Sequence, residues 1–267
     1  MKLNIRVITL NLCNENPDKK TNLINKWITI FKNINADIIF LQEIKGYNIE
    51  KMTKKLNMEL LDISKDHTCV LVNPYKLTIL DNKHITLKQV IPETNKNINL
   101  KTNKNIIYKY KPIFIGNLHL HDIPSISHHI NNVIYKSSEI IPLDYSLDKL
   151  LKMCKKNRIP HVIKELKLVK KNEIAIIAGD FNEPSHLDLH IKVPVSKEFE
   201  KKGFIDSYRY INKDKGYTWP SKTFYKNEPN QRIDIIYIKG IKIINSKTYY
   251  TDKWLSDHKM VITDLII

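Results

Sequence analysis

Polar residues of catalytic type recur in this chain where runs of apolar, β-branched residues stop. The run RVITLN ends in Asn11, DIIFLQE in Gln42 and Glu43, PIFIGNLHLHD in His119 and His121, and EIAIIAGDFNEP in Asp180 and Asn182. Near the C-terminus, QRIDIIYIKG sets Asp234 inside an apolar run, and WLSDHKMVITDL places Asp257 and His258 just before another. The ends of strands are where an open α/β sheet exposes its site. An acidic group that follows four apolar residues and a glutamine, as Glu43 does, is costly to bury unpaired; a metal ion removes that cost, and so does exposure at the strand end. A histidine hydrogen-bonded to a carboxylate has a fixed tautomer and raised basicity.

Each feature also has an ordinary explanation. A lone strand-end Asn is usually a turn or a local backbone hydrogen bond, Gly-Asp-x-Asn is what turns are made of, and a strand-end His is commonly a satisfied structural residue. His119 and His121 are two apart, so an extended chain puts them on one face. Asp is disfavoured inside strands, so Asp234 is expected to have a partner, for which a histidine is suited. The ordinary explanations do not cover all of these places together in this order.

The elements that must carry these residues follow from periodicity. Residues 3–12 and 37–42 are continuous apolar runs, expected as strands buried on both faces. Between them Leu23, Trp27, Ile30, Phe31 and Ile34 recur at spacings of three and four, one face of an amphipathic helix. Further strands are expected at 68–73, 84–91, 105–110, 112–119, 173–178, 233–238, 241–250 and 259–266, with helical pattern near 47–57, 125–140 and 146–171. So many strands among several helices predict an α/β protein with more than one sheet. The lysine-rich stretch 146–171 contains Pro160 and reads as a bent or double basic helix with a solvated charged face.

The chain has 267 residues with only six glycines and eleven prolines, and it lacks a linker or repeat, so one domain over 1–267 is expected. Forty-four Lys+Arg against 28 Asp+Glu give +16, almost all of it lysine, which favours anionic partners such as nucleic acid or an acidic membrane surface. An AT-rich genome would also enrich lysine. Cys13, Cys69 and Cys154 are too few and too scattered for a disulfide framework or a structural zinc site. Arg6 and Asn11 interrupt the N-terminal apolar stretch, and no run approaches a membrane span, so a soluble intracellular protein without a signal peptide is expected.

Lined up from residue 5 to 263, Asn11, Gln42-Glu43, the His of NLHL, GDFN, RIDIIY and SDH resemble the endonuclease/exonuclease/phosphatase superfamily. The resemblance implies a deoxyribonuclease I-like four-layered α/β sandwich, two mixed β-sheets packed face to face with helices outside. It implies Mg²⁺, with Mn²⁺ able to substitute, held by Glu43 with Asn11 and Asp257 beside it. His258 would be the general base, Asp234 its orienting carboxylate, Asp180 and Asn182 the residues positioning nucleophile and phosphate, and His119 a donor to the developing charge.

The departures from family patterns shape the substrate expectation. Cys13 stands where several abasic-site endonucleases have an acid, their tryptophan-rich segment is here only NEPNQRID, and the inositol 5-phosphatase patterns around GDFN are absent. The sequence from 122 to 165 is expected to be an insertion lining the substrate groove, with His128 and His129 on the surface. Trp219, with Tyr217 and Tyr225, could stack on a base, and His121 and Arg232 could contact substrate. The expected activity is a Mg²⁺-dependent nuclease on DNA or RNA, working as a monomer. The alternatives are a sphingomyelinase-like or inositol-phosphate phosphoesterase, and a non-catalytic nucleic-acid-binding module.

Overall fold

The computed structural model describes residues 3–13, 20–64, 67–88, 111–133, 145–220, 228–250 and 255–267. In one sheet, β1 (Asn4–Asn11) pairs parallel with β2 (Ile38–Gln42) and antiparallel with β12 (Met260–Ile266). With β3 (Glu59–Ile63), β4 (Cys69–Val72) and β11 (Lys242–Tyr249) the order is β11-β12-β1-β2-β4-β3. The second sheet holds β5 (Leu77–Asp81), β6 (His84–Leu87), β7 (Ile113–His119), β8 (Ile174–Asp180), β9 (Ile205–Asp206) and β10 (Asp234–Lys239). Its order is β5-β6-β7-β8-β10-β9, with β7 and β8 parallel and β10 antiparallel to β8.

The unbroken apolar runs are explained by burial on both faces, because successive residues of a strand point to opposite sides. Ile5, Val7, Ile38 and Phe40 from one sheet meet Ile113, Ile115, Ile176, Ala178, Ile236 and Ile238 from the other. The alternating residues Ile8, Leu10, Ile39 and Leu41 face outward under α1 (Lys20–Ile34) and α2 (Ile49–Leu56), against Trp27, Phe31 and Met52. On the far side Phe114, Ala175, Ile177 and Tyr237 pack with Ile159, Val162 and Leu166 of α4 (Leu147–Leu168) and Phe199 of α6 (Pro194–Lys201). Helix, sheet, sheet, helix are the four layers. Shorter helices α3 (Ile126–Ile130), α5 (His186–Leu189) and α7 (Ser207–Ile211) fill the connections.

Direction explains why residues remote in sequence gather. The parallel strands β1, β2, β7 and β8 end at one edge, and antiparallel β10 and β12 begin there. Register sets Asn11 opposite Gln42, His119 opposite Asp180, and Asp234 opposite Asp180 from the other side. Gln42 Nε2 donates to Asn117 Oδ1 at 2.7 Å, tying the two sheets together near this edge.

Several sequence expectations change. The stretch 146–171 is one helix, α4, with Pro160 inside it. Leu150, Cys154, Ile159, Val162 and Leu166 are buried on both sides of the proline and outweigh the loss of one backbone hydrogen bond. The expected strand 84–91 is a strand over His84–Leu87, and its residues 89–91 lie outside the described residues. The expected strand 105–110 and positions 134–140 of the expected helix 125–140 also lie outside them. Among the described residues, no helix is long and apolar enough to cross a membrane.

Candidate active site

At the shared edge Asn11, fully buried at the end of β1, links two acids. Its Nδ2 donates to Glu43 Oε1 at 2.9 Å and to Asp180 Oδ2 at 3.0 Å. Its Oδ1 accepts from the Cys13 backbone N–H at 2.9 Å, which fixes the orientation of the amide. In this arrangement the Asn11 oxygen faces its own loop and its NH₂ clamps two carboxylates, at the place where the sequence reading set a metal ligand. Cys13, Glu43 and Asn182, each just beyond a strand end, have φ of 57°, 52° and 49°. Three non-glycine residues in the left-handed region store strain of about 1–3 kcal/mol each.

Asp234, at the start of β10, accepts from His258 Nδ1 at 2.9 Å, so the partner expected from the sequence is found. The Thr218 hydroxyl accepts from the backbone N–H groups of Ile233 and Asp234, both at 3.1 Å, and holds the strand start in place. Ser256 Oγ donates to the Asn11 carbonyl at 2.7 Å and accepts from the His258 N–H at 3.0 Å, which joins the end of β1 to the loop before β12. Neither Thr218 nor Ser256 was singled out by sequence. Each lies beside a recognisable residue, Trp219 and Asp257, and that adjacency was the available signal.

The remaining imidazole nitrogen of His258 lies 3.7 Å from Asp180 Oδ2 and 4.0 Å from Asp257 Oδ1. His119 Nε2 stands 3.7 Å from Glu43 Oε1 and 3.8 Å from Asp180 Oδ2. Burial and the charge of Asp234 push the Asp180 carboxyl up to about 6, against the opposing pull of His258, His119 and the Asn11 hydrogen bond. Burial alone would lower His258, but Asp234, Asp257 and Asp180 outweigh it and hold the imidazole well above its ordinary range. Burial, with Asp257 and Glu43 nearby, raises the Cys13 thiol, so Cys13 is a neutral member of the site. Asn182 completes the β8 turn, donating its backbone N–H to Asp180 Oδ1 at 2.9 Å and its side chain to the Leu120 carbonyl at 2.8 Å.

The donor set fits a hard divalent cation. Asp180, Asp234 and Asp257 have no lysine or arginine counter-ion among the described residues, and Asp234 Oδ1 is buried without a hydrogen-bond partner there. Asp180, Asp234 and His258 each offer a ligand atom, all within 4.8 Å of one another, and could hold such an ion. Gly179 sets this corner: a Cβ there would come 1.8 Å from the Leu118 carbonyl oxygen, so only glycine lets β8 lie against β7 beside the acids.

The three expected substrate contacts fare differently. Arg232 is 1% exposed and bonded to Asp206 at 2.6 Å and Asp188 at 2.8 Å, a structural ion pair turned away from solvent. Trp219 is 7% exposed and donates Nε1 to Asp257 Oδ2 at 3.1 Å, so it fixes an acid of the site and offers little face for a base. His121 lies past the end of β7, exposed, and accepts from the Ile123 N–H at 3.1 Å, so strand alternation no longer sets its direction. His128, expected at the surface, is 2% exposed, bonded to Ser125 Oγ and to Glu228 and packed against Trp219. Of the expected aromatics, Tyr217 is half-buried and Tyr225 lies outside the described residues.

Comparison with known proteins agrees with this architecture. The model of the endonuclease/exonuclease/phosphatase family matches residues 4–258. An uncharacterised Caenorhabditis elegans protein, F14F9.5, is 26% identical over 261 residues, covering 88% of this chain and 79% of that protein. D. rerio TDP2 complexed with single-strand DNA product superposes with a TM-score of 0.62 at 13% identity, covering 98% of both chains. An AP endonuclease from Archaeoglobus fulgidus gives 0.59 at 15%, covering 97% of this chain and 98% of that one. At those identities the structural likeness shows the fold, and the fold is the deoxyribonuclease I-like sandwich that the sequence motifs implied.

Proposed function

The chain belongs to the endonuclease/exonuclease/phosphatase family, and on that footing we propose that it is a divalent-metal-dependent phosphodiester hydrolase acting on nucleic acid. The observation that carries the reading is the convergence of Glu43, Asp180, Asp234, Asp257, His119 and His258 at one sheet edge, with Asn11 clamping two of the acids. Glu43 and Asp257 would hold the cation, because Asp180 has both carboxylate oxygens bonded, Oδ1 to Asn182 and Oδ2 to Asn11, and Asp234 Oδ2 orients His258. Bound there, Mg²⁺ or Mn²⁺ supplies positive charge that neutralises the phosphate oxygens.

The proton roles follow from the electrostatics and reverse those expected from the sequence. His258, surrounded by three carboxylates, keeps its proton at neutral pH and is an imidazolium facing the phosphate. Asp180, with its carboxyl pushed up to about 6, is largely ionised at neutral pH and is suited to take the proton of the attacking water. Asp234 orients His258 through Nδ1 and balances its charge, while His119 faces Glu43 and Asp180 across the site. The family, the overall charge of +16 and the structural likeness to a TDP2 complexed with single-strand DNA support nucleic acid as the substrate.

The test is cleavage of plasmid DNA, single-stranded DNA, RNA, sphingomyelin and an inositol polyphosphate with Mg²⁺ or EDTA. Nucleic-acid cleavage that is lost with EDTA and in Asp180→Asn supports the proposal. Turnover of only the lipid or the inositol phosphate overturns the substrate assignment.

A further inference from the structure

Resting on the nucleic-acid reading above, we infer that the solvent face of α4 is a phosphate track carrying a polynucleotide from the active-site edge across the outer surface of the protein. Lys149, Lys152, Lys156, Lys164 and Lys167 are all exposed. At 3.6 residues per turn they fall within about a third of the helix circumference, opposite the buried Leu150, Cys154 and Arg158. From Lys149 to Lys167 the stripe runs about 27 Å at 1.5 Å per residue.

Some lysines elsewhere are matched to acids, Lys54 with Glu50 at 2.7 Å, Lys197 with Glu200 and Lys201 with Glu198 both at 2.6 Å, while others such as Lys55 and Lys202 stand singly without an ion pair among the described residues. The α4 lysines form an unmatched row. Lys149 stands over the Tyr145 ring, and the other four have no ion-pair partner among the described residues. Glu165, on the same helix, is turned inward to Lys83.

The direction of α4 ties this stripe to the site. Arg158, fully buried, donates to the carbonyls of His121 at 2.7 Å, Asp122 at 2.9 Å and Pro124 at 2.8 Å, the segment that leaves β7 just after His119. It also reaches Glu183, just beyond Asn182, at 3.2 Å, and Asn157 donates to the Ile123 carbonyl at 3.0 Å. The middle of α4 is therefore anchored beneath the active-site edge. Lys149, Lys152 and Lys156 lie on the turns toward that edge, while Lys164 and Lys167 lead toward the start of β8 at the opposite edge.

The chemistry selects a phosphate polymer. Lysine is a compact point charge without the planar fork of arginine, suited to sequence-independent backbone contacts. A basic helix that lies in a membrane inserts its apolar face, and that face of α4 is already spent on Ile159, Val162 and Leu166 against the second sheet.

The experiment replaces the five lysines by Gln and compares this variant with wild type and with Lys54→Gln/Lys55→Gln on α2. The readouts are anisotropy binding of long single-stranded and duplex DNA across salt concentrations, cleavage of the same DNA, hydrolysis of bis(p-nitrophenyl) phosphate, and flotation with phosphatidylserine vesicles. The expected result is a log-log salt slope shallower by about 2 to 4 units, at roughly 0.7–0.9 per lost phosphate contact. DNA affinity should fall at least about tenfold at low salt, with hydrolysis of the small ester unchanged and the α2 variant like wild type. DNA binding unchanged in the five-lysine variant, or an equal loss in the α2 variant, overturns the track and leaves the nuclease reading standing. A wild type that neither binds nor cleaves DNA, yet loses vesicle binding with the five lysines, overturns both.

Discussion

Replacing Asp234 by Asn separates the two roles open to His258. The substituted amide would keep an oxygen to accept from Nδ1, so the 2.9 Å hydrogen bond and the ring orientation are retained while one negative charge is removed. Asp234 Oδ1 is buried without a hydrogen-bond partner among the described residues, so the new NH₂ would sit there unsatisfied at a cost of about 1–3 kcal/mol, visible as a lowered Tm. The rate effect should be larger, about 10²- to 10⁴-fold in kcat. Asp234 is the strongest of the three charges that raise His258, so the variant lowers that pKa. If His258 must be protonated, activity is lost as pH rises through its pKa, and Asp234→Asn moves the alkaline limb of the kcat/KM profile to lower pH. If His258 were the base, activity would appear as pH rises through that pKa, and the same change would move the acid limb down instead. A profile whose acid limb slides down while the alkaline limb stays fixed refutes the assignment, as does an unchanged kcat.

The other predictions concern the acids and the scaffold. Glu43→Gln should weaken Mn²⁺ binding measured by calorimetry while Asp234→Asn leaves it in place; the reverse pattern would put the ion between Asp180, Asp234 and His258. Arg232→Ala strips the counter-ion from buried Asp206 and leaves Asp188 with Arg209 alone, and should cost about 3–5 kcal/mol in denaturant unfolding, with KM for DNA unchanged in the folded fraction. A raised KM at unaltered stability would restore Arg232 as a substrate contact. Wild-type kcat/KM should rise as pH passes about 6, where Asp180 loses its proton, and Asp180→Asn should remove that limb. Gly179→Ala should not yield the native fold, because its Cβ would meet the Leu118 backbone at 1.8 Å. A soluble variant with native circular dichroism and activity would contradict that packing.

What sequence could reveal divides along physical lines. Strands buried on both faces leave continuous apolar runs, so β1, β2, β7, β8, β10 and β12 were legible, and so were the polar residues closing them. The gathering of Asp234 and His258 with Asn11, Glu43 and Asp180 depended on strand direction, which periodicity does not encode. The surroundings of Arg232 and Trp219 were not legible, because residue type says nothing about which way a side chain points. Arg232 turns inward to two acids, and Trp219 spends its indole N–H on Asp257. His128 is polar, which suggested the surface, and it is bonded to nearby Ser125 and buried against Glu228 and Trp219, which come from a segment far away in the chain. Pro160 suggested a bent or double helix, and the apolar residues on either side of it are buried together and keep α4 a single helix.

The most direct test of the central claim is single-turnover cleavage of a long single-stranded DNA by wild type, Asp180→Asn and Glu43→Gln, each with Mg²⁺ and with EDTA. The account predicts cleavage by wild type in Mg²⁺ alone, lost in EDTA and reduced by about 10² or more in either variant. Cleavage that persists in EDTA, or variants as fast as wild type, would contradict it.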